Sequence, residues 1–339
     1  MFFRRFVVMA SLLVGTALAS DGVALAADPV RPFLGDWAMT IPNGEAGWLS
    51  VSSPDGKTLS AEILWGSGSV VPTLDVGLEN GTLMFTHDPL TGVPPKKGRL
   101  PVPVDLVTAT VDGDQMNLTA IQKFPDGHLG APATFSGKRL PPLPARPDLS
   151  KVRFGEPISL FNGKNLDGWR LIDPKACNGW SARDGVLVND AAQKPGKPRI
   201  RYGNLRTDRE FEDFNLTLET NVPRGGNSGV YLRGIYEVQV EDSYGRPLDS
   251  HNMGAIYSRI KPTETAEKPA GQWQTMDITL VDRHVTVVLN GKKIIDNQPL
   301  LGCTGGALWS DPFRPGPIYL QGDHTAIQYR NLVLRPVVK

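Results

Sequence analysis

The sequence predicts an all-β protein of two domains, a small up-and-down β-sheet or barrel followed by a two-sheet sandwich of the jelly-roll type. Proline and glycine are abundant, with 29 and 36 copies among 339 residues. No long apolar segment repeats with the 3.6-residue period of a helix. Short alternating segments recur instead, separated by turn sequences such as Asp-Gly and Asn-Gly. A chain of this length can form two domains that each bury a core.

The chain begins with the features of an export signal. Arg4 and Arg5 precede the mostly apolar stretch Phe6–Ala19, and Ala24-Leu25-Ala26 fits the small residues of a cleavage site. We therefore expect residues 1–26 to be a signal peptide and the mature protein to be exported, as a periplasmic or secreted protein. The apolar stretch is too short for a comfortable membrane span, and no later stretch predicts one.

The net charge of the mature chain gives no indication of a polyanionic partner. Removal of residues 1–26 takes away Arg4, Arg5 and Asp21, so the formal net charge falls from +1 to 0. A neutral chain gives no electrostatic reason to expect a nucleic acid or an anionic membrane as a partner.

Two cysteines, Cys177 and Cys303, are far apart in the sequence. In an oxidising compartment they could form a disulfide, which would close a long loop. The alternative is a pair of free buried thiols. Their separation makes a zinc site a poor prediction.

Residues 27–139 are predicted to form the small N-terminal β-domain. Its turns include Pro54-Asp55-Gly56-Lys57 and Asn80-Gly81, which are typical of hairpins. The domain contains no recognisable catalytic constellation, and His87 and His128 stand beside turn residues, so we expect both on the surface. We expect an accessory or packing domain, with a ligand-holding barrel as the alternative. The predicted strands are Phe33–Ile41, Trp48–Ser52, Leu59–Trp65, Leu74–Leu78, Thr82–Thr86, Val107–Val111, Gln115–Gln122 and Ala133–Arg139.

Residues 140–155 are predicted to be a proline-rich linker, because prolines at 141, 142, 144 and 147 favour an extended, semi-rigid spacer. Residues 156–339 are predicted to form the second domain. Its clearest hairpin surrounds Asn290-Gly291. Its predicted strands are Pro157–Phe161, Trp180–Ala182, Val186–Asn189, Phe214–Asn221, Gln274–Val281, Val285–Leu289, Lys292–Asp296, Pro317–Gln321 and Ile327–Val333.

The stretch Gly225–Asp242 is the centre of the second domain. It predicts two short strands joined at Gly234-Ile235, along which side chains alternate between faces. Tyr231 and Arg233 are therefore expected on one face, and Glu237, Gln239 and Glu241 on one face of the second strand. This polar set fits the floor of a groove for a polar ligand. A salt-bridged face in contact with solvent is the alternative.

Three segments of the second domain carry a resemblance to a known family. They are Leu160–Trp169 (LFNGKNLDGW), Asn227–Val240 (NSGVYLRGIYEVQV) and Gly316–Leu332 (GPIYLQGDHTAIQYRNL). Their order and spacing resemble the 3-keto-disaccharide hydrolase family, also described as 3-keto-glucoside 1,2-lyase and 3-keto-2-hydroxyglucal hydratase. The resemblance implies a concanavalin-like sandwich, preceded in some members by an extra β-domain. One departure is Cys303, where the family pattern suggests proline.

The resemblance also implies a reaction. The substrate would be a 3-keto-glucoside or 3-keto-disaccharide, produced by an upstream sugar 3-oxidoreductase. A ketone at C3 acidifies the C2 proton, so a base can remove that proton while the group on C1 leaves by β-elimination. Water then adds to the unsaturated sugar and gives 3-keto-glucose. This chemistry needs a base, a donor or cation at the enolate oxygen, and an acid for the leaving oxygen.

The residues suggest candidates for these roles. We expect Glu237 or His324 to be the base and Arg233 to stabilise the enolate oxygen. A divalent metal could take the place of the arginine, with Asp242, Glu241, His251 and His324 as ligands, although no local spacing requires a metal. Substrate hydroxyls and rings are expected to contact Gln239, Tyr231, Asn227, Tyr257, His251 and Gln321.

Two other functions fit the same pattern. In a retaining β-glucanase of the laminarinase type, Glu237 and Glu241 would be nucleophile and acid, which requires their carboxyl groups to converge to about 5–5.5 Å. Gln239 stands where that family has an aspartate. In a non-catalytic carbohydrate-binding module, Tyr231, Tyr236 or Trp309 would stack on sugar rings.

Overall fold

The computed structural model describes residues 28–93, 96, 98–193 and 196–338. The predicted signal peptide at residues 1–26 lies outside this range. Two short 3-10 helices are present, Arg31–Phe33 and Leu149–Lys151, and the other regular elements of the described residues are β-strands. None of the described helices is long and apolar enough to cross a membrane. The prediction of an all-β protein is confirmed.

Nine antiparallel strands form the first sheet. They are β1 (Gly35–Thr40), β2 (Ala46–Ser52), β3 (Ser60–Trp65), β4 (Val71–Pro72), β5 (Leu74–Glu79), β6 (Thr82–His87), β7 (Val104–Asp112), β8 (Gln115–Lys123) and β9 (Ala133–Arg139). Their spatial order is β4-β3-β2-β1-β9-β8-β7-β6-β5. The edge strands β4 and β5 are consecutive in the chain and only Thr73 separates them, so the sheet curls almost into a closed barrel. This is the predicted up-and-down arrangement.

Apolar side chains from alternate strand positions fill the middle of this barrel. Trp37, Leu49, Ile63 and Leu83 are among the fully buried members of that core. The indole N–H of Trp37 donates to the Phe33 carbonyl oxygen at 2.9 Å. The alternation predicted from the sequence therefore becomes a packed core, as expected for strands with one buried face.

One histidine of this domain differs from its prediction. His87 is buried at the end of β6, where its Nδ1 lies 3.0 Å from the Asp105 carboxylate on β7 and its ring stacks on Trp65. The surface prediction was wrong for His87 because the strand continues one residue past Thr86. His128, in contrast, is exposed in the loop between β8 and β9, as predicted.

Fourteen strands form the second domain within the described residues. They are β10 (Arg153–Phe154), β11 (Ile158–Ser159), β12 (Trp169–Leu171), β13 (Trp180–Arg183), β14 (Val186–Asn189), β15 (Leu205–Thr207), β16 (Phe214–Asn221), β17 (Asn227–Leu232), β18 (Tyr236–Glu241), β19 (Trp273–Val281), β20 (His284–Leu289), β21 (Lys292–Pro299), β22 (Tyr319–Leu320) and β23 (Ile327–Val338). The Asn290-Gly291 turn joins β20 to β21 with positive φ at both residues, 51° and 82°, as a type I′ turn requires.

These strands form two sheets that pack face to face. The larger has the order β13-β14-β23-β16-β19-β20-β21, with β10 and β11 also paired to β23, and the smaller has the order β12-β15-β22-β17-β18. Leu216 and Leu218 of the larger sheet share one core with Val230 and Val238 of the smaller sheet. The predicted concanavalin-like jelly-roll sandwich is confirmed, and the polar face of the β17–β18 hairpin lies on the side away from this core.

The two domains share part of that core. Ala46, Trp48, Leu64 and Leu140 come from the N-terminal half of the chain but belong to the apolar cluster of the sandwich. The Arg259 guanidinium lies 4.2 Å above the Trp48 ring. The extended segment 141–148 also lies against the sandwich, since the Asn297 amide donates to the Pro147 carbonyl oxygen at 2.8 Å. The first domain is therefore packed onto the second.

Both cysteines are free thiols. Cys177 is exposed, whereas Cys303 is buried at the domain boundary, with its sulfur 3.8 Å from the Gly47 carbonyl oxygen. Burial raises the pKa of the Cys303 thiol to about 11, so the thiol is protonated at neutral pH. Of the two alternatives left open by the sequence, the structure contains free thiols, one of them buried.

Candidate active site

A cavity of about 340 Å³ lies over the polar face of the β17–β18 hairpin. Most of its lining comes from the sandwich, and three residues come from the N-terminal domain. A larger cavity of about 720 Å³, beside Leu140 and Phe313, contains none of the predicted site residues in its described lining. The smaller cavity is lined by Glu45, Ser67, Gly68, Asn204, Asn227, Tyr231, Glu237, Tyr257, Gly305, Gly306, Tyr319, Gln321, Asp323 and His324.

Strand alternation positions the floor of this cavity. Tyr231 on β17 pairs directly with Glu237 on β18, and both side chains point away from the core that holds Val230 and Val238. Gly229 leaves the space that the Glu237 carboxyl group occupies, because a Cβ at that position would lie 2.2 Å from Glu237 Oε1. In the local sequence Gly229-Val230-Tyr231, the glycine leaves space for the Glu237 carboxyl group and the tyrosine hydroxyl contacts it.

Glu237 is a buried carboxyl group, with 3% of its surface exposed. Burial raises its pKa to about 8; the hydrogen bond from Tyr231 lowers the pKa and the negative charge of Asp323 raises it. No arginine or lysine is among the described residues that line the cavity. Glu237 is therefore mostly protonated at neutral pH and can exchange a proton near physiological pH, as a general acid or base must.

The hydrogen bonds of Tyr231 fit a protonated Glu237. Its hydroxyl oxygen lies 2.9 Å from Glu237 Oε2 and 2.6 Å from the Gly305 carbonyl oxygen. One hydroxyl proton cannot serve both acceptors at once. A protonated Glu237 removes this conflict, since its O–H donates to Tyr231 and the Tyr231 O–H donates to Gly305.

One side of the cavity offers hydrogen-bonding groups to a polar ligand. Tyr319 stacks on Tyr231 with ring centroids 4.0 Å apart, and its hydroxyl oxygen accepts the Asn204 amide at 3.2 Å. The side-chain oxygen of Gln321 is buried and has no partner within the described protein. A buried polar atom without a partner is costly, so the Gln321 oxygen is suited to accept a hydrogen bond from a bound ligand.

Asp323 and His324 form a pair at the mouth of the cavity. His324 Nδ1 lies 2.8 Å from Asp323 Oδ1, and the imidazole is 43% exposed. Burial opposes ionisation of Asp323, but the hydrogen bond and the charge of His324, with Arg199, outweigh it and lower the pKa of the carboxyl. When Nδ1–H donates to Asp323, Nε2 is left as a base.

The N-terminal domain contributes the opposite wall, through Glu45, Ser67 and Gly68. The Ser67 N–H donates to Glu45 Oε2 at 3.3 Å. Gly68 touches the backbone of Gly305, since a Cβ on Gly305 would lie 2.2 Å from the Gly68 carbonyl oxygen. This wall could not be predicted from the sequence, because its residues and the catalytic candidates lie in different domains.

Arg233 does not reach this cavity. It follows the last residue of β17 and adopts a positive φ of 56° in the turn before β18, so the alternation that predicted a face shared with Tyr231 ends before it. Its guanidinium is buried elsewhere and donates to the Arg314 carbonyl oxygen at 2.5 Å. The structure therefore does not bring Arg233 to Glu237, and Arg233 is not among the described residues that line the cavity.

Three more predicted residues on β18 and after it lie outside the cavity. Gln239 is buried, and its side-chain oxygen accepts the Val240 N–H at 3.1 Å. Glu241 pairs with Arg246 at 3.0 Å, so the two carboxyl groups of the laminarinase-type reading do not share this cavity. Asp242 accepts the Gly225 N–H at 2.9 Å. Among the described residues, no group of three or more His, Cys, Asp or Glu side chains could hold a metal ion.

The loop after β18 folds back along the edge of the hairpin. The Tyr257 N–H donates to the Glu237 carbonyl oxygen at 3.0 Å, and the Tyr257 side chain lines the cavity. His251 does not line it. The His251 ring packs edge-on against Tyr257, and its Nε2 lies 2.9 Å from Ser69 Oγ, so this histidine joins the loop to the N-terminal domain.

Six of the predicted site residues line the cavity, and its other polar lining residues were not predicted from the sequence. The six are Glu237, His324, Tyr231, Asn227, Tyr257 and Gln321. Asp323 could have been found, because it precedes His324 directly in the turn after β22. Asn204 directly precedes β15 and Tyr319 lies on β22, and the pairing of these two strands brings both residues to the cavity.

Residues 156–335 match the family described as the 3-keto-alpha-glucoside-1,2-lyase-like domain. A relative from Bacteroides thetaiotaomicron, named 3-keto-disaccharide hydrolase, is 25% identical over an alignment that covers 41% of this chain and 57% of the relative. The alignment therefore spans less than two thirds of that relative.

Two solved structures are similar to this chain over 59% of its length. A protein from Parabacteroides distasonis, provisionally described as a glycosyl hydrolase, has 28% identity and a TM-score of 0.45, and the match covers 59% of this chain and 94% of that one. The endo-beta-1,3(4)-glucanase SCLam, from family GH16, has 12% identity and a TM-score of 0.34 over 59% of this chain and 94% of that one.

Proposed function

Because the chain belongs to the family of 3-keto-alpha-glucoside-1,2-lyase-like domains, we propose that it cleaves 3-keto-glucosides and 3-keto-disaccharides by elimination and hydration. The observation that carries the proposal is the buried Glu237 carboxyl group, whose pKa of about 8 suits proton transfer at neutral pH. A sugar oxidised at C3 has a C2 proton acidic enough for such a base.

In the first step, ionised Glu237 takes the C2 proton, and the electron pair of the C–H bond forms the enolate of the C3 ketone. The enolate oxygen can accept hydrogen bonds from the Tyr319 hydroxyl, which the Asn204 amide polarises, and from the Gln321 amide group. These donors take the role that the sequence suggested for Arg233.

In the second step, the enolate oxygen re-forms the C3=O bond and the electron pair of the C2=C3 bond moves to form the C1=C2 double bond. The C1–O bond breaks, and its electron pair leaves with the oxygen. Glu237, now protonated, supplies the proton that the leaving oxygen needs. Water then adds across the double bond, with its oxygen on C1 and a proton on C2. His324, oriented by Asp323 and exposed at the mouth, is the proposed base for this water.

The proposal is tested with the mature protein, a 3-keto-disaccharide and the parent disaccharide, followed by NMR in heavy water. We expect cleavage of the keto sugar alone, with deuterium at C2 of the 3-keto-glucose produced. Substrate without enzyme controls for spontaneous exchange at C2. Cleavage of the parent sugar would support a glycosidase instead, and binding without cleavage of either sugar would support a carbohydrate-binding module.

A further inference from the structure

We propose that the N-terminal domain forms the leaving-group subsite of this enzyme, with Glu45 and the turn Gly66–Val70 as the wall that contacts the group on C1. This inference rests on the proposed function and goes beyond it, because it assigns a part in substrate selection to a domain outside the family match at residues 156–335. This turn, the wall turn, joins β3 to β4.

The wall lies on the β18 side of the cavity. The smaller sheet has the order β12-β15-β22-β17-β18, so groups at β15 and β22 lie on one side of the β17–β18 hairpin. Asn204, Tyr319 and Asp323 are on that side. The loop that carries Tyr257 pairs with β18 on the other side, and the wall turn docks onto this loop.

The proposed reaction determines how the sugar ring is oriented in the cavity. C2 and the C3 oxygen must contact Glu237 and the enolate donors at the same time. The 3-keto ring therefore lies between Glu237 and the side that holds Tyr319 and Asn204. The substituent on C1 then extends toward the opposite end of the cavity, where Ser67 and Gly68 are.

The wall turn is held by two side-chain contacts and one backbone contact. The Val70 N–H donates to Ser258 Oγ at 2.8 Å, and Ser69 Oγ lies 2.9 Å from His251 Nε2. The Gly68 backbone also touches Gly305. These contacts fix the turn from both flanks, so the wall is a preformed surface, which is the condition for a specific binding subsite.

The charge of the lining indicates the kind of group that fits. Glu45 is exposed at the mouth, and Glu237 and Asp323 are the other carboxyl groups of the cavity. With no arginine or lysine among the described lining residues, a uronate or phosphate at this wall would meet uncompensated negative charge. A neutral sugar can donate its hydroxyl protons to the Glu45 carboxylate. The leaving group is therefore expected to be a neutral sugar.

The experiment compares two substrates that differ only in the leaving group, 3-keto-trehalose and methyl 3-keto-α-glucoside. Glu45→Gln removes the charge but keeps an oxygen for the Ser67 N–H. Ser67→Trp fills the subsite from an exposed position. We expect each variant to lower the ratio of kcat/KM for the disaccharide to kcat/KM for the methyl glucoside by about tenfold.

The controls are Glu79→Gln on β5 and Ser60→Trp at the other end of β3, both exposed and outside the cavity. Each control should keep the wild-type ratio, and melting temperatures should confirm that all four variants are folded. An unchanged ratio in folded Glu45→Gln and Ser67→Trp would overturn the subsite. A wild-type protein that converts neither keto sugar would instead refute the proposed function on which the subsite rests.

Discussion

Replacing Glu237 by glutamine should lower kcat sharply and, at high pH, make the protein more stable. The unfolded chain releases the Glu237 proton near its ordinary pKa of 4.5, whereas the folded chain keeps it up to about pH 8. Between these pH values the unfolded state loses a proton that the folded state holds, so a rise in pH favours unfolding. The stability that the protonated carboxyl contributes is complete below pH 4.5 and is lost as the pH rises through 8.

The magnitude follows from the two pKa values. At about 1.4 kcal/mol for each pKa unit, the change from 4.5 to about 8 corresponds to roughly 5 kcal/mol. A glutamine amide resembles the protonated carboxyl and does not titrate. The Glu237→Gln variant should therefore match the wild type near pH 5 and exceed its free energy of unfolding by several kcal/mol at pH 9, on the order of 3–5.

The assay is urea unfolding followed by tryptophan fluorescence at pH 5 and pH 9, together with kcat on a 3-keto-disaccharide. We expect kcat to fall at least about 100-fold. The exposed variant Glu79→Gln is the control, with an unchanged difference between the two pH values. A stability difference between Glu237→Gln and the wild type that is equal at pH 5 and pH 9 would refute the raised pKa, and full activity would refute the base.

Three further outcomes test the other assignments. Wild-type kcat/KM should rise about tenfold per pH unit up to pH 8, because only ionised Glu237 accepts the C2 proton; a flat profile would argue against it. Gly229→Ala should lower kcat about 100-fold, since its Cβ would displace the Glu237 carboxyl group, and near wild-type kcat would show that the carboxyl adapts. Arg233→Lys should keep the wild-type kcat and lower the free energy of unfolding by about 1–3 kcal/mol, because it disturbs the hydrogen bond to the Arg314 carbonyl oxygen. A fall in kcat without a loss of stability would show that Arg233 takes part in catalysis.

The local part of the fold could be predicted from the sequence, because strand alternation and Asn-Gly turns are properties of neighbouring residues. The predicted strand Phe214–Asn221 has the same bounds in the structure. The same alternation correctly put Tyr231 and Glu237 on the face away from the core. It failed at Arg233, where the backbone leaves the extended region and the side chain turns elsewhere.

The remaining site residues depend on contacts between distant segments. Asn204 and Tyr319 meet through the pairing of β15 with β22, which no local pattern encodes. Glu45 lies about 190 residues before Glu237 and reaches the cavity only because two domains dock. Long-range pairing of this kind is determined by the shape and burial of whole surfaces, so a single sequence read along its length does not disclose it.

The apolar cluster that both domains share has a consequence for how such proteins can change over evolution. Trp48 and Leu64 are buried by residues of the sandwich, so the N-terminal domain is not an exchangeable module on a flexible tether. A chimera cut at the proline-rich segment would expose the indole of Trp48 and remove the partner of Arg259. Substitutions on the two sides of this boundary are therefore expected to accumulate in compensating pairs, and the two domains to be inherited together.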